Sequence, residues 1–194
     1  MMRTSRRSRA LIATLGLVAT VLAFAPGRAG AAPETLCDAT PLIAPGVSLG
    51  SLSIGMQAGE ARHILDVPGT LVNVTQDRQG QDHVLFLRGP STGWLYVARN
   101  GSVVMLVLID DGSFTQRTCA TAEGIHLGST LDEVQAAYGP PPRVFQAASG
   151  GSFWIYDPRG IAFDVRPYLG PPAVRLIEVF RPGEYCQVTG AACR

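Results

Sequence analysis

The chain has no lysine: all sixteen of its basic residues are arginine. The P-loop, the Schiff-base enzymes and the Ser–Lys hydrolases each need a lysine amine, so all three are excluded. Closely spaced cysteines are missing as well. Cys37, Cys119, Cys186 and Cys193 form no C-x-x-C, the spacing that zinc ribbons and dithiol oxidoreductases require. Histidine is scarce. His63, His83 and His126 show neither i, i+4 spacing nor the shared-strand alternation that builds a metal face. These patterns lead us to expect no metal and no cofactor.

One long apolar run exists, Leu11 to Ala25, behind a positive segment carrying Arg3, Arg6, Arg7 and Arg9. It is short for a spanning helix, and Pro26-Gly27 breaks it. A small-residue stretch, Arg28-Ala29-Gly30-Ala31-Ala32, follows, which is the three-part order of a secretory signal with cleavage after Ala31. Pro33-Glu34-Thr35-Leu36-Cys37 lacks the small residue expected before a lipidated cysteine. Residues 1–31 are therefore read as a signal peptide, leaving no membrane span after cleavage. Five arginines leave with it, so eleven arginines face fifteen acidic residues, a net charge of −4. That balance offers no basic footprint for nucleic acid, whose binding draws on counterion release. All four cysteines stay, and an even count in an exported, secreted or periplasmic chain reads as two disulfides. Of three possible pairings, Cys186–Cys193 as a clamp on the tail and Cys37–Cys119 as a long tie are favoured.

The chain is self-similar. Ile54-Gly55-Met56-Gln57-Ala58-Gly59-Glu60-Ala61-Arg62-His63-Ile64-Leu65 parallels Leu127-Gly128-Ser129-Thr130-Leu131-Asp132-Glu133-Val134-Gln135-Ala136-Ala137-Tyr138. Val67-Pro68-Gly69 stops the first and Gly139-Pro140-Pro141-Pro142 the second. Thr130-x-x-Glu133 is a capping box, and Leu131, Val134 and Tyr138 make one apolar stripe. Three strand-like runs follow each helix: 83–87, 94–97 and 103–109 in the first copy, 153–156, 161–165 and 174–180 in the second. Asn100-Gly101 signals a type I′ hairpin and Asp157-Pro158-Arg159-Gly160 a tight turn. The expected class is α+β: two tandem units, each a short helical segment followed by an antiparallel three-stranded meander. The boundaries are a lead-in at 32–53, repeat 1 at 54–112, a linker at 113–123, repeat 2 at 124–181 and a C-terminal tail at 182–194.

The Gly-turn, capped helix, Gly/Pro stop and meander in two copies resemble the repeat of β-lactamase inhibitory proteins. They are also similar to the helix–sheet unit of small outer-membrane assembly lipoproteins. The resemblance rests on turn, cap and helix stripe, so what it implies is fold more than function, with inhibition of a lactamase one candidate role. The cysteine that the inhibitor family carries after each helix has no counterpart here.

Other motifs weigh little. Gly46-Val47-Ser48-Leu49-Gly50 fits G-x-S-x-G, but a nucleophile elbow needs a strand before it and a helix after it, and Ala44-Pro45 and Ser51-Leu52-Ser53 read as lead-in loop. Asp110-Asp111-Gly112-Ser113 lacks the alternating oxygens of a calcium loop and reads as an acidic turn. The aromatics say more. Trp94 and Tyr96 share one strand face, as do Trp154 and Tyr156. With Ile161, Phe163 and Val165 in the core, Asp164 and Arg166 look outward. A face of Trp, Tyr and Arg has the composition of an interface hot spot. The expectation is an exported, non-catalytic module binding another exported or envelope protein, as an inhibitor or an assembly factor. The alternative is a secreted small-ligand-binding protein or an enzyme with a scattered site.

Overall fold

The computed structural model describes residues 37, 42–66, 70–76, 82–88, 91–110, 119–147, 150–167 and 171–190. They all belong to one compact unit, Ala31–Arg194. The segment read as a signal peptide, residues 111–118 around the expected linker, and Cys193 lie outside the described residues.

In chain order the elements are β1 (Leu42–Ala44), β2 (Ser48–Leu49), β3 (Leu52–Ser53), α1 (Ala58–Leu65), β4 (Thr70–Gln76), β5 (Asp82–Arg88), β6 (Ser91–Val97) and β7 (Val103–Ile109). Then come β8 (Ala120–Thr121), α2 (Leu131–Tyr138), β9 (Arg143–Gln146), β10 (Ser152–Tyr156), a 3-10 turn (Asp157–Arg159), β11 (Ile161–Arg166), β12 (Ala173–Phe180) and α3 (Tyr185–Thr189). One antiparallel sheet of eight strands runs β4-β5-β6-β7-β12-β11-β10-β9, and a four-stranded sheet runs β3-β2-β1-β8.

This corrects the expected α+β class. The protein is mostly β, and there are not two separate helix-plus-three-strand units. Each helix, α1 or α2, is followed by four strands, and all eight join in one sheet. β7 and β12 are the reason. They pair with each other from Leu176↔Ile109 to Phe180↔Met105, and both are buried on both sides. A strand that must bury both faces belongs in the middle of a sheet. The runs the sequence missed, β4 and β9, are the two edges. Their exposed side chains show no buried alternation.

Helices α1 and α2 and the small sheet cover one face of the large sheet. The core there holds Ala61 and Leu65 of α1, Val134 and Tyr138 of α2, and Ile43, Leu49 and Leu52 of the small sheet. Beneath them lie cross-strand rows such as Val84–Leu95–Leu106–Val179–Ile161–Tyr156. The next row is Phe86–Gly93–Leu108–Ile177–Phe163–Trp154. Gly93 is required there: a Cβ would run into the Val107 carbonyl and the Phe86 ring. α2 is started by its capping box, with the Glu133 amide donating to Thr130 Oγ1 at 3.2 Å and the Thr130 amide to Glu133 Oε2 at 2.7 Å. These bonds satisfy donors that a first helical turn leaves unpaired. α1 has no side-chain cap.

Cys37 and Cys119 are disulfide-bonded in this core, their Cα atoms 5.4 Å apart and 82 residues apart in sequence. The bridge lies beside the parallel pairing of β1 with β8, Leu42↔Ala120 and Ile43↔Thr121. Cys186 is also disulfide-bonded. The expected Cys186–Cys193 pairing ends on a residue outside the described set. The β6–β7 turn differs from expectation. The Gly101 amide bonds to the Ala98 carbonyl at 2.8 Å, so Arg99 and Asn100 are the central residues and Gly101 takes the positive φ of 82°. Asn100 Oδ1 accepts from the Ser102 amide at 3.0 Å, and the ladder register shifts between Tyr96 and Val97, ahead of the turn. A three-residue loop with Gly at the bulge replaces the two-residue turn.

Candidate functional site

Residues directly opposite across an antiparallel pair point to the same side, so the register decides each face. The side of the large sheet away from α1 and α2 carries the row Leu85–Trp94–Val107–Glu178–Ala162–Ile155. Beside it run Thr92–Ile109–Leu176–Asp164–Phe153–Phe145 and His83–Tyr96–Met105–Phe180. α3 packs over part of this face. The Tyr185 ring lies 4.9 Å from that of Phe180, and Arg143 Nη1 reaches Cys186 Sγ at 2.8 Å.

Four of the six expected partner-binding residues share this face: Trp94, Tyr96, Asp164 and Arg166. Trp94 and Tyr96 are half-buried, and the His83 ring meets Tyr96 edge-on at 4.2 Å. The outward placement of Trp154 and Tyr156 is corrected. Trp154 pairs with Phe163 and Tyr156 with Ile161, both core residues, so their side chains lie on the helix face. Tyr156 is buried between Tyr138 and Phe163, and its hydroxyl donates to the Gly139 carbonyl at 2.8 Å. Burial pushes that hydroxyl up to about 12.

Asp164 needs a correction of another kind. It is on the outer face as expected, yet it is 1% exposed. Arg166 Nε donates to its Oδ2 at 2.6 Å, while Oδ1 has no hydrogen-bond partner. Arg166 is the member of the pair that reaches solvent, its side chain 39% exposed.

Sequence reasoning missed Glu178, although a lone acid inside the apolar run 174–180 was the available signal. Glu178 is buried beside Asp164, and the Tyr185 hydroxyl donates to its carboxylate. Burial pushes its carboxyl up to about 7, and the negative charge of Asp164 adds to the rise against the Tyr185 hydrogen bond. Burial and then the Glu178 charge raise the Tyr185 hydroxyl above its ordinary range. The Trp94 indole N–H is buried with no hydrogen-bond partner.

The remaining motifs fall elsewhere. Ser48 lies in β2 opposite Ser53 of β3, so a strand rather than a helix follows it. His63 is exposed on α1, and His126 Nδ1 lies 2.7 Å from the Leu127 carbonyl oxygen. Asp110 is tied to Arg175, Oδ2 to Nη1 at 2.5 Å, while residues 111–113 lie outside the described set. Among the described residues no group of three or more His, Cys, Asp or Glu side chains is placed to hold a metal ion. No described helix is long and apolar enough to cross a membrane. An open depression of about 460 Å³ is lined by Ala58, Gln76, Asp82, Val97, Ala98, Arg99 and Gly101. A second, of about 390 Å³, is lined by Glu123, Gly124, Ile125, Glu133, Ala136 and Ala137.

No family model matches the chain, and no curated protein matches it. Among solved structures, it is similar to a DUF4309 family protein (YjgB) from Bacillus subtilis. The identity is 11% and the TM-score 0.39, over 68% of this chain and 83% of that one. A likeness of that degree carries no argument about fold or function.

Proposed function

We propose that the protein is an exported, non-catalytic module that binds another exported or envelope protein, in an inhibitory or envelope-assembly role. The binding surface is the sheet face carrying Trp94, Tyr96 and Arg166. The observation that carries this reading is their presence together on the side opposite α1 and α2. There, two half-buried rings stand over apolar cross-strand rows and a solvent-reaching guanidinium lies farther across the sheet. Rings already held by packing lose little freedom on contact, and Trp, Tyr and Arg dominate interface energetics. Such a surface works by shape and burial and needs no reacting group. The signal-like N-terminus, the disulfide and the resemblance to the β-lactamase inhibitory repeat support the same reading.

One observation favours a second reading, a small-ligand-binding protein or enzyme. Glu178, with its carboxyl pushed up to about 7 beside Asp164, is the kind of perturbed acid that functional sites collect.

The test is affinity capture with the full chain, tagged at its C-terminus and expressed in its own host, from envelope and culture fractions. A stoichiometric protein held by the wild type and lost from a folded Trp94→Ala/Tyr96→Ala variant supports the reading. The same partner held equally by that variant discards this face. A lone chain that co-purifies with a small molecule, lost on Glu178→Gln, establishes the second reading instead.

A further inference from the structure

The two edges of the large sheet are finished differently. β9 has four residues, begins at Arg143 and follows prolines 140–142. Short length, charge and proline are the devices that blunt an edge. β4 has none of them. It spans seven residues, Thr70-Leu71-Val72-Asn73-Val74-Thr75-Gln76, with no charge and no proline. Its register against β5 runs unbroken from Thr70↔Arg88 to Gln76↔Asp82. Among the described residues only β5 pairs with it, so one rank of backbone N–H and C=O groups faces outward. Leu71 is 70% exposed, Val72 40% and Val74 42%.

The two valines end core rows. Val72 lies opposite Phe86 and Val74 opposite Val84, both buried on the helix face. The apolar layer under α1 and α2 therefore runs to the edge and ends on two exposed valines.

We propose that β4 pairs antiparallel with β4 of a second copy of this chain, about a two-fold axis at Asn73. An isologous contact must be complementary to itself, and this strand is. Centred on Asn73, the pairing sets Val72 opposite Val74 of the second copy, twice over by symmetry. Leu71 meets Thr75 on the other face, and no charge meets a charge. The β-branched pairs extend the core rows across the junction, and the open backbone groups find partners. Pairing β4 with β9 of another copy would be heterologous and would not close. The shortness of β9 and its Arg143 oppose it. This surface is the rim of the sheet, and Trp94 and Tyr96 stand two strands in from it on β6. A seven-residue strand pair is smaller than a standard interface, so the dimer is weak, with a dissociation constant roughly in the micromolar range.

Sedimentation velocity on the oxidised full chain, over roughly 1–200 µM, reads this out. The expected result is a concentration-dependent monomer–dimer equilibrium. Val72→Lys/Val74→Lys places lysine opposite lysine at both symmetric positions and should weaken the dimer about tenfold or more. Val72→Lys/Val74→Glu places lysine opposite glutamate at both and should keep it. The two variants change the same exposed sites, and circular dichroism checks that both fold. A wild type that stays monomeric throughout overturns the proposal, as do two variants equally weakened or both unaffected. Open-ended assemblies beyond a dimer overturn the closed two-fold pairing.

Discussion

Glu178→Gln should stabilise the protein above neutral pH and leave it little changed in acid. The unfolded carboxyl titrates at its ordinary 4.5, while the buried one is pushed up to about 7. Between those values the folded state holds a proton that the unfolded state has released. The stability that this group contributes is fully present below pH 4.5 and falls as the pH rises towards 7. Above that, the charged carboxylate sits in an apolar face beside Asp164, and its cost no longer changes with pH. A shift of this size corresponds to about 3 kcal/mol. Glutamine keeps the shape and the acceptor for Tyr185 without the charge. Its advantage over the wild type should therefore grow from near zero at pH 4.5 to about 3 kcal/mol at pH 8, less the desolvation of its amide. Urea unfolding of both proteins with disulfides intact, at half-unit pH steps, measures the difference. Subtracting the two curves cancels carboxylates common to both. A difference that stays constant from pH 5 to pH 8, or that shrinks as pH rises, refutes the reasoning.

Gly93→Ala should cost about 3 kcal/mol or leave no folded protein, because the new methyl has no space against the Val107 carbonyl and Phe86; thermal melts report it. Replacing Cys37 and Cys119 together by alanine frees an 82-residue loop in the unfolded chain and should cost about 4 kcal/mol, read from full denaturant curves with the slope fitted for each protein. Trp154→Ala, which empties part of a core row beside Phe163, should cost about 3 kcal/mol. Trp94→Phe removes an unpartnered buried N–H and should fall within about 1 kcal/mol of wild type.

The sequence by itself determined the pieces whose causes are local. The α2 start follows from Thr130 and Glu133, three residues apart, and its stripe from Leu131, Val134 and Tyr138. The turn at Gly160 needs only Asp157, Pro158 and a residue free to take φ of 71°. Six of the eight large-sheet strands announced themselves as apolar runs, and Cys37–Cys119 was among the pairings the cysteine count allowed. What the tertiary structure decided is which strands meet. Trp154 alternates along its own strand in a way that fits either face, and only its pairing with Phe163 assigns it to the core. The runs at 103–109 and 174–180 carry no alternation to orient them, because both are buried along nearly their whole length in the middle of the joined sheet. Glu178 became a strained acid, and Asp164 a buried one, only when β7 and β12 joined the halves and α3 packed over that face. Register between distant strands is set by the fit of whole faces. No single strand holds that information, since shifting its pairing by one residue exchanges its two sides.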